Sequence, residues 1–169
     1  MSDPTPEQLA RVEAWIRAEA RTKSIDEAQS YVVSRVAKLV DAARAVPESA
    51  LTTVPDGQEW SPIETLRHVA EWTAQCGEDV LHVSLTGERP GNSPPQFDPD
   101  RESLFAKLNA SVESVGAHVS EADPDAFLET RWKHPFFGPL NWREWHLFLG
   151  VHATDHSNQL KELTEALVG

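Results

Sequence analysis

His152 and His156 stand four residues apart in Asn141–Leu163, NWREWHLFLGVHATDHSNQLKEL. Residues four apart on a helix lie one turn above each other, so both imidazoles can direct a ring nitrogen at one point. Read at helical period, the inward row of this stretch is Trp145, Leu149, His152, His156, Leu160 and Leu163, which puts two imidazoles where a bundle helix places aliphatic side chains. Neutral imidazole nitrogens ligate zinc, nickel and similar borderline ions at about 2.0–2.2 Å, and a centre that does chemistry holds three protein ligands and keeps one position open. The third ligand must come from a facing helix, and His68 is the natural candidate, on a row of Thr65, His68, Trp72, Cys76 and Val83. A single buried histidine is ordinarily a hydrogen-bonded core residue, and H-x-x-x-H lacks the Glu of a metalloprotease motif. Three histidines on inward rows, two of them at i,i+4, point to a divalent-metal site.

Other residues could serve that site. Glu64, one turn before His68, is a candidate general base, although its local role is the acid of a capping box. Asp155 could accept the free N–H of a ligating histidine from a neighbouring helix, or stand solvated. Gln159 could face the site one turn after His156. Trp72 and Trp145 read as core aromatics that dry the site, and with His134, Phe137 and Gln159 they form the candidate substrate-binding set. Cys76 reads as a small core residue, with a soft fourth ligand as the other reading. His82, His118, His134 and His146 lack partners at ligand spacing and read as solvated or helix-end residues, His134 standing apart because it falls in an aromatic segment.

The elements that must position these residues are helices. Thr5-Pro6-Glu7-Gln8 starts a leader helix that fades near Thr22, and Ser24-Ile25-Asp26-Glu27 opens a second whose apolar row ends before Pro47. Residues 46–60 read as a loop. Ser61-Pro62-Ile63-Glu64 combines cap, proline and reciprocal Glu, and its helix should run to Thr86 with Gly87 as a left-handed stop. Residues 87–97 form a crossover rich in Pro and Gly, and Asp98-Pro99-Asp100 caps a plain packing helix with Leu104, Leu108, Val112, Val115 and Val119 on one row. Residues 120–140 carry Trp132, Phe136 and Phe137, more aromatic surface than a polar loop needs, and should fold over the bundle as a lid or short hairpin. Asn141-Trp142-Arg143-Glu144 caps the last helix. No segment alternates with period two over five residues. The fold class is therefore all-α, a four-helix bundle over 24–169 with an extra N-terminal helix over 1–23.

Composition excludes several functions. The 169 residues suit one domain. With 15 basic and 27 acidic residues the net charge is −12, which repels a phosphate backbone or an anionic membrane surface. No nucleic-acid or membrane partner is expected. One cysteine precludes an intrachain disulfide and fits a reducing compartment. The charged first residues do not resemble a secretory segment and no run is long enough to span a bilayer, so a cytoplasmic protein is expected.

The opening W-S-x-x-E-x-x-x-H at Trp60–His68, the Gly-Pro-Leu-Asn-Trp-Arg-Glu-Trp of 138–145 and the ending H-x-x-D-H-x-x-Q-L at His152–Leu160, in that order, resemble the DinB-like superfamily of metalloproteins. The resemblance spans about Ser24 to Leu167. It implies a four-helix bundle in which His68, His152 and His156 bind a divalent ion, commonly zinc or nickel. It further implies relatives that act as thiol-dependent S-transferases or isomerases using mycothiol or bacillithiol as low-molecular-weight co-substrate, and frequent homodimers. Three readings result: a metal-dependent thiol transferase acting on a small molecule, a metal-dependent hydrolase, or a non-enzymatic stress or small-ligand-binding bundle. A pocket with no room above the histidines would favour the last.

Overall fold

The computed structural model describes residues 5–168; residues 1–4, read as part of the leader, and Gly169 lie outside the described residues. Each helix begins where a side chain satisfies main-chain N–H groups that the helix itself leaves free. Helix α1, Pro6–Thr22, opens with Thr5 and Gln8 bonded reciprocally, and α2, Ile25–Ala45, does the same with Ser24 and Glu27. The expected loop contains one short 3-10 helix, Glu48–Ala50, followed by tight turns. Helix α3, Pro62–Thr86, starts at the Ser61 cap and stops at Gly87, whose φ of 78° is the left-handed conformation a side chain resists. Helix α4 is Arg101–Val119 behind the Asp100 cap, and α5 is Trp142–Val168.

Four of these helices make the bundle. Helix α5 packs on α2 and α3, and α4 closes the ring by packing on α3 and α2. The approach of α2 to α5 is close at Gly150, where an added Cβ would collide with the Tyr31 ring. Leu39, Leu66, Leu104, Leu108 and Leu160 are sealed from solvent between the helices, and burial of such side chains stabilises the fold by about 1.5–3 kcal/mol each. Helix α1 lies on α5. Its Ile16 is fully buried and belongs to the main core.

The segment between α4 and α5 is a hairpin, one of the two forms expected for it. Strand β1, Arg131–His134, pairs antiparallel with β2, Gly138–Asn141, with Trp132 opposite Leu140 and His134 opposite Gly138. The four residues RWKH alternate outward and inward, so Trp132 and His134 are buried while Arg131 and Lys133 are exposed. That alternation is one residue too short for a five-residue window, which is why periodicity did not announce the strand. No helix among the described residues is long and apolar enough to cross a membrane.

Candidate metal centre

The i,i+4 pair on α5 and His68 on α3 meet. His152 Nε2 lies 3.1 Å from His156 Nε2 and 3.3 Å from His68 Nε2. The ligand atoms of all three lie within 4.8 Å of one another. Nitrogens that share one ion of this class at tetrahedral to octahedral angles stand about 2.8–3.4 Å apart, so both of these pairs suit a shared divalent ion. Hydrogen bonding alone does not account for the arrangement: a proton on His152 Nε2 can be shared with one neighbour at a time, leaving the other lone pair facing it.

Protonation suits the same role. Burial, and then the positive charge His156 would carry, holds the His68 pKa down at about 4. Burial first and the neighbouring imidazoles second push His152 well below its ordinary range. His156 is lowered by burial, against the opposing pull of Gln159 and Asp155. At neutral pH all three are uncharged, the form that offers a lone pair.

The residues read from the sequence as possible members of the site fall in different places. Asp155 is exposed at the cavity mouth, as its solvated reading has it, and the residue that holds a ring nitrogen is Gln159, whose Oε1 lies 2.7 Å from His156 Nδ1. Gln159 thus touches one of the three histidines rather than lining the cavity. Glu64 does not join the site: its Oε2 accepts from the Ser61 N–H at 2.8 Å and the Ser61 hydroxyl at 2.7 Å, and these bonds lower its pKa. A carboxylate committed to a helix cap is a poor base. Trp145 is a core residue under the hairpin, stacked on Trp132 with centroids 5.4 Å apart. His134 and His146 are buried, not solvated, whereas His82 and His118 are exposed as read. His146 Nε2 sits 2.7 Å from Gln29 Oε1, a bond that ties α5 to α2. Cys76 is buried, and burial pushes its thiol up to about 12.

Above the histidines lies a cavity of about 830 Å³. Its floor is His68, His152 and His156, its walls include Trp72 and Phe148, and the hairpin turn from His134 to Phe137 covers one side. Helix α1 also lines it, through Gln8, Leu9, Arg11 and Val12. Trp60 packs on His68, with centroids 4.7 Å apart, and stacks on His156 at 6.4 Å. Sequence reasoning missed Trp60, Phe148 and the α1 wall as site residues. Trp60 had a signal, since it precedes the cap residue whose helix carries His68; the α1 wall had none, because nothing local tells a helix which neighbour it leans on.

The hairpin, α1 and α5 are joined at Glu144. Its Oε2 accepts from the Asn141 N–H at 2.9 Å and from Arg131 at 3.0 Å, and Arg17 of α1 reaches it at 3.3 Å. Arg17 also donates to the carbonyls of Phe137 and Pro139 at 3.4 Å. One carboxylate therefore holds in register three of the elements that enclose the cavity.

Comparison with known proteins agrees with this architecture. The uncharacterized protein YuaE of Bacillus subtilis (strain 168) is 24% identical over 145 residues, covering 73% of this chain and 89% of its own. The crystal structure of TT2238, a four-helix bundle protein, superposes with a TM-score of 0.63 at 22% identity, over 82% of this chain and 99% of that one, a likeness of fold. The DinB superfamily matches residues 13–160, a span that begins within α1 and contains all three histidines. The chain belongs to the DinB superfamily.

Proposed function

We propose that the protein binds one divalent ion, zinc or nickel, through His68, His152 and His156, and uses it to promote transfer of a low-molecular-weight thiol to, or isomerisation of, a small molecule held in the cavity. The observation that carries this reading is the convergence of three neutral Nε2 atoms on the floor of a cavity of about 830 Å³. There is room above the histidines, which favours a site that receives a molecule over a closed structural one. An all-imidazole donor set suits zinc and nickel. When bound, such an ion supplies the positive charge that acidifies a thiol or a water brought to it.

The chain's own residues do the rest. Gln159 keeps the proton of His156 on Nδ1 and its Nε2 lone pair turned to the centre. Trp60, Trp72 and Phe148 surround the imidazoles with ring surface, which excludes water and strengthens electrostatic interactions inside. Asp155 at the mouth is placed to take up a proton from an entering thiol. The chain has one cysteine, and its thiol stays protonated in the core, so a sulfur nucleophile has to arrive from outside. That favours the thiol co-substrate over a cysteine of the protein.

Elemental analysis of the purified protein is the first test, with about one ion per chain expected and none after His152→Ala. Turnover of electrophilic small molecules with and without added thiol then separates the chemistries: thiol-dependent turnover supports the transferase, thiol-independent turnover the hydrolase. A metal-free, fully folded wild-type protein that takes up no added zinc or nickel would sink the metal reading and leave the non-enzymatic ligand-binding bundle.

A further inference from the structure

The three histidines of the centre are not held alike. His156 has Gln159 on Nδ1 at 2.7 Å, the kind of partner that a metal-ligating imidazole ordinarily keeps on its second nitrogen. Among the described residues His68 has none: its ring makes one hydrogen-bond contact, from Nε2 to His152 Nε2 at 3.3 Å. A histidine ring turns broadly about its second side-chain torsion, and a half turn puts a ring carbon where Nε2 was. Something other than a hydrogen bond has to keep the His68 Nε2 on the centre.

Ring packing is what the structure offers. Trp60 lies on His68 with centroids 4.7 Å apart and planes tilted by 50°, and Trp72 lies at 6.1 Å and 46°, separations at which tilted aromatic rings attract. Trp60 is the nearer of the two, and it also stacks on His156 at 6.4 Å and 19°, so one indole faces a histidine from each of two helices. Its own place is fixed by the start of α3. Ser61, the next residue, bonds to Glu64 through its N–H and its hydroxyl, and the Ile63 N–H donates to the Leu51 carbonyl at 3.0 Å. Trp72 lines the cavity, whereas Trp60 is not among the residues that do. Trp60 therefore meets the imidazoles without belonging to the surface offered to a bound molecule.

We propose that Trp60 is a positioning residue of the centre: its indole fixes the rotation of the His68 ring, the task that Gln159 performs for His156 through a hydrogen bond. The role of that rotation in metal binding rests on His68 being a ligand, as under Proposed function, but the ring packing itself needs no ion. Trp60 then governs how well Nε2 of His68 is presented, and with it the affinity for zinc, without touching a substrate. His156 is held twice, by Gln159 and by the indole, and should depend on Trp60 much less.

The test uses Trp60→Leu, which removes the ring, and Trp60→Phe, which keeps one. Carbon–proton NMR of the histidine rings is recorded first on the metal-free protein. His68 should give one sharp set of ring resonances in wild type and in Trp60→Phe, and a broadened or doubled set in Trp60→Leu, while His156 stays sharp in all three. Zinc affinity, measured by competition with a chromogenic chelator, should fall by about tenfold in Trp60→Leu, the low end of the loss when a ligand's orienting partner is removed, and Trp60→Phe should recover most of it. A His68 ring that stays single and sharp in Trp60→Leu, equal broadening of His68 and His156, or a zinc affinity equal to wild type in that variant overturns the proposal. If Trp60→Leu does not fold, the wild-type spectrum decides, and a His68 ring already averaging there overturns it. Failure of wild type to take up zinc removes the metal reading, whereas the ring spectra, recorded without metal, still decide whether Trp60 holds His68.

Discussion

Gln159 Oε1 lies 2.7 Å from His156 Nδ1, and this bond decides which nitrogen of the ring faces His152. Replacing Gln159 with Leu removes the acceptor and frees the ring to rotate and change tautomer. Metal affinity should fall by about 10–100-fold, the usual loss when a ligand's orienting partner is removed, while thermal stability of the metal-free protein changes little. Competition against a chromogenic chelator measures the first and a melting curve the second. Unchanged affinity would show that packing alone holds the ring.

Glu144 is 3% exposed and takes three donors from three elements. Glu144→Ala should destabilise the fold by about 2–3 kcal/mol in urea unfolding, through loss of the α5 cap and the charge-assisted bonds. Arg17 and Arg131 keep some exposure, which limits the penalty of stranding them. Glu144→Gln, which retains an acceptor for the Asn141 N–H, should cost less. The same variants should speed hydrogen exchange of the hairpin amides ahead of those in α3.

Acid should weaken the metal-free protein before any carboxylate titrates. Burial holds His146 at about 4, against about 6.5 when unfolded. Between those values the unfolded chain binds the proton and the folded one does not, so stability rises with pH across the window and is lost as pH falls from 6.5 towards 4. His146→Gln should flatten the dependence by about 1.4 kcal/mol per pH unit within it. Urea titrations at pH 6.5 and 5 in chelator check both the sign and the slope; an unaltered slope would mean that the ring is already protonated in the fold.

Cys76 should be silent. Its thiol is 5% exposed and raised to about 12, so almost no thiolate forms at neutral pH. A colorimetric disulfide reagent should label it only after denaturation, and Cys76→Ala should leave thiol-dependent turnover intact. Rapid labelling of the native protein, or loss of turnover in the variant, would move the nucleophile onto the chain itself.

Much of this was legible along the chain because it is local. The caps at Thr5, Ser24, Ser61 and Asn141 lie within three residues of their partners, and the stop at Gly87 needs only a residue tolerant of positive φ. The pair His152 and His156 is set by helical rise, so its convergence required no tertiary information. Of the two readings of Asp155, reaching a histidine of a neighbouring helix or standing in solvent, helix rotation decided for solvent, whereas Gln159, three residues after His156, shares its face and holds its ring.

What the amino-acid order determined is therefore the set of helices, their stripes and two-thirds of the candidate centre. The tertiary structure decided the remainder. It brought His68 to within 3.3 Å of a residue 84 positions away, leaned α1 against the cavity, and buried His134 with one nitrogen bonded and the other unused. Those outcomes depend on how far each helix is rotated against its neighbours, which is fixed by packing of whole faces and not by spacing within any one of them.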